Sequence, residues 1–230
     1  MTTSGPNSPG TMGTGAGGYA NWSNTGNGAA SDNAYATVSL SSGAGTTPSQ
    51  ELKATNFGFA ISGTVDGIQV EIERKATADS GGRFGTDALV KLVKGGVTGG
   101  TNKADTTTHI PTSDTIASYG GAADLWGLTW LDSDINDSGF GVVVSYKNSA
   151  TFPGKSSNTY SVDHIRITVY YTAGGAAGQP TSKRFGGVPF MGAHGSGLQA
   201  PVRQWIRRAS GLLTPQFATT QIWRPAHGID

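Results

Sequence analysis

The chain has 230 residues, a formal net charge of +1, and only 13% charged residues. This composition excludes a disordered polyelectrolyte, and the sequence has no apolar run near the roughly 18 residues that cross a bilayer. The absence of cysteine excludes disulfides and thiolate metal sites, so the fold must depend on apolar burial, strand pairing or other chains. Residues 1–18 lack a basic segment followed by an apolar one, so we expect folding in a cytoplasm.

The first segment, residues 1–32, is rich in glycine, serine, threonine and asparagine and has no apolar periodicity. Such a composition predicts an extended arm that is disordered by itself. Tyr19 and Trp22 are its only aromatic side chains, and we expect them to anchor the arm on a partner.

The second segment, residues 33–172, consists of short runs in which apolar and polar residues alternate between glycine, aspartate and asparagine. This pattern predicts an all-β domain, an antiparallel and jelly-roll-like sandwich. No run has a helical stripe of ten or more residues, so crossover helices and a parallel sheet are not expected. The predicted strands are Ala34–Leu40, Phe57–Ile61, Gly67–Arg74, Ala88–Lys94, Phe140–Tyr146 and His164–Tyr171.

The third segment, residues 173–230, begins as a flexible linker and continues as a glycine-rich tail. One short helix is predicted at Pro201–Leu213, with proline in its first turn. From Gly175 onward the tail has six basic residues and one acid, a net charge of 6 − 1 = +5, which leaves 10 − 14 = −4 for the remainder. A basic tail on an acidic body indicates that the tail contacts something negative.

The tail combines cations with aromatic residues, a mixture that occurs both in nucleic-acid contacts and in protein interfaces. Six basic residues over some fifty positions are too sparse for a nucleic-acid tail, so protein contact is favoured. The partner-binding candidates in the tail are Lys183, Arg184, Phe185, Phe190, Arg203, Trp205, Arg207, Arg208, Trp223 and Arg224.

Three patterns suggest chemistry, and each has a simpler structural interpretation. The run from Asp132 to Asp137 resembles a calcium loop, but its sixth position lacks glycine and its twelfth is Val143, so a polar turn is favoured. Glu71 and Glu73 could form a glycosidase pair, but alternating acids are ordinary on a wet strand face. The four histidines have no metal-ligand spacing. We therefore expect no enzyme activity, no metal and no cofactor.

Trp126 and Trp130 lie close together in the run from Asp124 to Trp130. If exposed, they could stack on sugar rings or a receptor. Indoles bury a large area, however, and the favoured interpretation is that both close one end of the sandwich core.

A resemblance covers about residues 33–172. The matching runs are Leu52–Ile61, Val65–Arg74, Val90–Gly96 with Gly100–Ala104, Tyr119–Gly121 with Asp124–Gly127, Asp134–Asn136 with Phe140–Val142, and Val162–Tyr171. Together they resemble a β-sandwich domain that recurs in virion proteins of tailed bacteriophages, and Lys183–Phe190 is similar to the endings of small phage structural proteins. The resemblance implies a particle component without enzymatic activity.

These observations predict a capsid decoration or cement protein, located in the virion, whose arms lie across neighbouring subunits. Its expected partners are the major capsid protein or other virion proteins, together with further copies of itself, a trimer being favoured; neither a membrane nor nucleic acid is an expected partner. The alternative is a tail or fibre component that binds a host glycan or receptor.

Overall fold

The computed structural model describes residues 1–41, 44–77, 84–148 and 157–174. Two antiparallel five-stranded sheets, here called sheet A and sheet B, enclose one apolar core. The predicted all-β antiparallel sandwich is confirmed. The elements are β1 (Thr2–Asn7), β2 (Thr11–Thr14), a 3-10 turn (Thr25–Gly28), β3 (Ala36–Ser41), β4 (Leu52–Thr55), β5 (Gly63–Ala76), β6 (Gly85–Lys94), β7 (Val97–Gly99), β8 (Thr115–Gly121), α1 (Asp132–Ile135), β9 (Gly141–Asn148) and β10 (Ser157–Ala173).

Sheet A is organised around the two longest strands, β5 and β10, which pair along most of their lengths. β8 pairs with the other side of β5 and forms one edge of the sheet. The opposite edge is shared, because β3 pairs with the first part of β10 and β1 with the last part. Sheet B has the order β2-β4-β9-β6-β7.

The alternation in the sequence accounts for the sheet A side of the core. Ile68, Val70 and Ile72 of β5 are fully buried, and Ile165 and Ile167 of β10 lie beside them in register. The polar residues between them point outward, as expected when successive side chains face opposite sides of a sheet. These two strands confirm the predictions for Gly67–Arg74 and His164–Tyr171.

The predicted strand Phe57–Ile61 is wrong. Phe57, Phe59 and Ile61 are all buried, so their alternation is real, but the segment joins no sheet. Asn56 and Gly58 have φ values of 60° and 66°, and this left-handed backbone is incompatible with a regular strand. Side chains replace the missing strand partner, since Asn136 hydrogen-bonds both the N–H and the C=O of Ile61.

The boundary predicted at residue 33 also needs correction, because the N-terminal segment belongs to the sandwich. Its first strand, β1, is an edge strand of sheet A, and β2 is an edge strand of sheet B. The segment is extended, as predicted, but its backbone groups are satisfied by β10 and β4 instead of by another protein.

The predicted tail lies outside the described residues from position 175 onward, including the predicted helix Pro201–Leu213. Within the described ranges, no helix has the length and apolar character that a membrane crossing requires.

Candidate functional site

A buried ion pair lies in the sandwich where β5 and β6 face each other across the core. Arg74 donates to the carboxylate of Asp87, and the two residues are 6% and 0% exposed. The hydroxyl of Tyr119 donates to the second carboxylate oxygen at 2.7 Å, and the backbone N–H of Asp105 donates to the same oxygen at 3.1 Å. Each oxygen of Asp87 is therefore hydrogen-bonded, as a buried carboxylate requires.

Two tyrosine rings line the guanidinium of Arg74. Its central carbon lies 5.7 Å from the ring centre of Tyr119 and 5.5 Å from that of Tyr146. Burial opposes the charge on Arg74, but Tyr146 and the carboxylate of Asp87 more than offset this and raise its pKa. Burial also raises the pKa of both tyrosines, so each keeps its proton at neutral pH. The cluster is thus a fixed cation and anion, with neutral rings around them.

The sequence contains a signal for this cluster that the alternation rule would find. Arg74 continues the every-second-residue series of Ile68, Val70 and Ile72, so its side chain lies on the core face of β5. A charged residue on a core face implies a buried partner. Which acid supplies it depends on the pairing of the sheets and cannot be read from spacing alone.

Beside the ion pair, an open groove of about 470 Å³ follows the outer edge of β8. One wall is the strand itself from Thr115 to Gly120, and the other is formed by residues of the loop between Lys103 and Pro111. Arg74 and Tyr119 lie at its inner side, and hydroxyl groups come from Thr108, Thr115 and Ser118. The groove therefore offers hydrogen-bond donors and acceptors along an exposed backbone edge.

One aromatic pair stands next to this groove. The ring of His109, which lines the groove, stacks on Phe84 with 3.6 Å between ring centres and 4° between planes. Phe84 is 42% exposed, which is high for so large an apolar side chain. The pair presents an aromatic surface to solvent, a feature that sequence reasoning missed because Phe84 belongs to no alternating run.

Trp126 and Trp130 are buried, at 0% and 8% exposure, and belong to the core as the sequence favours. The indole N–H of Trp126 donates to the backbone oxygen of Ile68 at 2.9 Å, and that of Trp130 to Leu125 at 3.1 Å. Neither ring face is accessible to a sugar, so these two tryptophans do not form a glycan-binding surface.

The N-terminal anchors have different environments. Trp22 is 7% exposed and donates its indole N–H to the oxygen of Gln50 at 2.7 Å, so it anchors the segment on its own sandwich and not on a partner. Tyr19 is 49% exposed and remains a candidate for contact with another molecule. The other candidates, Lys183, Arg184, Phe185, Phe190, Arg203, Trp205, Arg207, Arg208, Trp223 and Arg224, lie outside the described residues.

The acidic run after Leu131 forms hydrogen bonds and an ion pair. Asp132 accepts from the N–H of Gly63, and Asp137 accepts from the N–H of Gly139. Asp134 accepts from the N–H of Leu131 and pairs with Lys94 at 2.8 Å. In the described part of the chain, no group of three histidine, aspartate or glutamate side chains is placed to hold a metal ion.

Glu71 faces outward and is bound by Arg166 through two hydrogen bonds of 3.0 and 3.1 Å. The fork of a guanidinium matches the two oxygens of a carboxylate, so this pair fixes the neighbouring strands β5 and β10 in register. The same contact engages the carboxylate that a glycosidase mechanism would need. Arg166, which the sequence did not single out, is thus the structural partner of Glu71.

The sequence matches no family model and no curated protein. Among solved structures, the chain is similar to an exo-beta-agarase, with 12% identity, a TM-score of 0.35 and coverage of 70% of this chain and 23% of the other. It is also similar to the CBM22-1 xylan-binding domain of Paenibacillus barcinonensis Xyn10C, with 11% identity, a TM-score of 0.34 and coverage of 70% and 87%.

A third similar structure is the CBM22-1 and GH10 part of Clostridium thermocellum xylanase 10B complexed with xylohexaose, with 11% identity, a TM-score of 0.36 and coverage of 73% and 27%. The chain thus spans only about a quarter of the agarase and of this xylanase. At TM-scores this low, none of the three similarities identifies a function for the chain.

Proposed function

We propose that this protein is a non-enzymatic structural component of a bacteriophage particle, a decoration protein whose sandwich rests on the capsid. The observation that carries the proposal is the opposite charge of two parts of the chain. Residues 1–174 have a net charge of −4 and residues 175–230 a net charge of +5. A basic segment attached to an acidic body is suited to binding acidic surfaces of neighbouring subunits.

Within the described residues, five of the eight lysine and arginine side chains form ion pairs with acids of the sandwich. These pairs are Arg74–Asp87, Lys75–Asp114, Lys94–Asp134, Lys103–Asp124 and Arg166–Glu71. Each pair joins one acid to one base, so the pairs leave the net charge of −4 on residues 1–174 unchanged. The basic surplus of the chain is therefore concentrated in the tail, where we place the contact with the major capsid protein or another virion protein.

The residues that suggested chemistry also support a structural role. Arg166 binds Glu71, and the acids of the run from Asp132 to Asp137 accept hydrogen bonds from nearby backbone N–H groups. Side chains engaged in this way stabilise the fold and are poorly placed to act on a substrate.

Charge reversal in the tail tests the contact. Replacing Arg207 and Arg208 by Glu should reduce occupancy on purified particles at least tenfold, because two attractive charges become repulsive. The matched control replaces Lys91 and Lys147 by Glu, which makes the same change of charge on the body and should leave occupancy near the wild-type value. Equal occupancy of both variants would remove the tail arginines as anchors.

The location of the chain in the particle tests the decoration role itself. Cryo-electron microscopy of purified virions should show many copies on the shell. A few copies confined to the tail would contradict decoration and favour a tail or fibre role.

A glycan-binding tail or fibre protein is the second candidate, and the Phe84 and His109 stack is the observation that favours it. Aromatic faces beside hydrogen-bonding groups are features that sugar rings can use, and the groove supplies such groups. Under this hypothesis, F84A should abolish binding on a glycan array. The control V97A truncates another exposed apolar side chain and should have no effect.

A further inference from the structure

β8 is an edge strand that lacks the usual protection against pairing. It runs for seven residues, Thr115–Gly121, without a charge or a proline. Natural proteins normally shorten their edge strands or interrupt them with charges, prolines or bulges. Three other edge strands follow that rule: β2 has four residues, β7 has three, and β1 has Pro6 and an irregular register. The remaining edge strand, β3, has six residues without a charge or a proline, but Ser23 covers part of it through two backbone hydrogen bonds with Thr37.

The contrast is clearest across the groove. On the sheet B side, the loop covers the free edge of β6, with hydrogen bonds from the N–H of Lys103 to Val90 and from that of Ile110 to Gly85. On the sheet A side, within the described ranges, the backbone of Thr115–Gly120 makes no main-chain hydrogen bond beyond those with β5. Ile116 on this strand is 47% exposed. The loop hydrogen-bonds to one edge, whereas no described main-chain group bonds to the outer side of the other.

We propose that β8 pairs antiparallel with β8 of a second copy, around a two-fold axis near Ala117 and Ser118. Self-pairing requires that a strand be compatible with its own reversal. If the axis passes through Ala117, Ile116 lies opposite Ser118; if it passes through Ser118, Ile116 lies opposite Gly120. In both registers Ile116, the one large outward side chain of β8, lies opposite a small residue.

The acids at the two ends of β8 are paired with lysines of the same copy. Asp114 precedes the strand and pairs with Lys75 at 3.2 Å, and Asp124 follows it and pairs with Lys103 at 2.7 Å. Antiparallel pairing places the Asp114 end of one copy beside the Asp124 end of the other. Each end is already neutralised, so no unpaired like charges face each other across the edge.

The size of this contact sets the strength to expect. A stable interface uses about 20–30 residues a side, whereas edge pairing engages roughly seven from each copy. The dimer is therefore weak in dilute solution and becomes populated at high protein concentration, such as the density of copies on a particle surface. The two-fold arrangement also differs from the trimer that the sequence favoured.

Cysteine trapping tests the contact directly, because the chain has no cysteine of its own. Residues at the axis of an antiparallel pair have Cα atoms about 4.5 or 5.5 Å apart, depending on whether the pair is hydrogen-bonded, and both distances are within the span of a disulfide. Under mild oxidation, A117C or S118C should give a covalent dimer on a non-reducing gel, and the more reactive variant identifies the register. The control is S138C, an exposed serine away from the edge, which should remain monomeric. If S138C forms dimers as fast as both edge variants, the proposal is wrong.

A charge on the edge provides the second test. In the full-length protein, I116K should lower the sedimentation-derived dimer fraction at least tenfold, because each pairing would bury two ammonium groups at the edge. V97K places the same charge on exposed β7 and should leave the dimer unchanged. A dimer fraction that is the same in I116K as in the wild type would show that the contact between copies lies elsewhere and would overturn self-pairing.

Discussion

The two ends of β5 contact different kinds of core. Near Ile68 the core is aromatic. Trp126 lies beside Gly120, and the rings of Trp130 and Phe140 pack edge to face with 5.4 Å between their centres. Near Arg74, about 20 Å along the strand, the core contains a complete ion pair and two tyrosines.

The difference shows how each end is stabilised. The aromatic end depends on apolar area and needs only one hydrogen bond for each indole N–H. The polar end depends on complete satisfaction of Asp87, because a buried charge without its partners costs several kcal/mol. Arg74 and Tyr119 at the polar end also line the groove beside β8. The buried ion pair therefore lies next to the edge strand β8.

Removing one ion of the buried pair should have the largest effect. D87A leaves the guanidinium of Arg74 and the hydroxyl of Tyr119 without their acceptor, and should lower the free energy of unfolding by about 3–5 kcal/mol. The double variant R74M/D87L removes both charges and should lose less than D87A. Urea denaturation measures both, and a loss below about 1 kcal/mol for D87A would contradict a tightly satisfied cluster.

At the aromatic end, W126F should have an intermediate effect. It keeps most of the apolar area but removes the N–H that satisfies the buried oxygen of Ile68, at a cost of about 1–3 kcal/mol. W130F removes the hydrogen bond to the backbone oxygen of Leu125, which lies at a less buried site, so it should lower the free energy of unfolding by less than W126F does. Thermal unfolding of the two variants compares them, and a reversed order would mean that the Ile68 oxygen has another donor.

The rim of the groove should show the smallest effect, which depends on pH. Hydrogen bonds from Thr108 and Thr107 hold the pKa of Asp105 well below its usual range. The folded-state pKa is lower than the unfolded one, so this stabilisation is present above about pH 4 and is lost as the pH falls through the folded value.

The variant D105N should therefore destabilise the protein at neutral pH by about 1 kcal/mol or less, because solvent screens this exposed group. The difference from the wild type should shrink in acid. Chemical denaturation at a series of pH values measures it, and a difference that stays constant between pH 7 and pH 2 would exclude Asp105 as the titrating group.

The alternation of apolar residues determined the fold class and the cores of its longest strands. Ile68, Val70 and Ile72 face inward because side chains alternate along any strand, whatever its neighbours. The same rule places Arg74 on the core face, although it does not name its partner. Burial of Trp126 and Trp130 also followed from the sequence, because a large apolar ring gains most from the interior.

Long-range pairing was decided by the tertiary structure alone. The glycine-rich residues before Trp22 resemble a free arm in composition, yet β1 and β2 become edge strands because β10 and β4 have open sides to receive them. Phe57–Ile61 alternates like a strand, but left-handed residues at Asn56 and Gly58 turn it out of the sheets. The pairing of Arg74 with Asp87 and the open edge of β8 likewise depend on which strands become neighbours, and local sequence does not specify that choice.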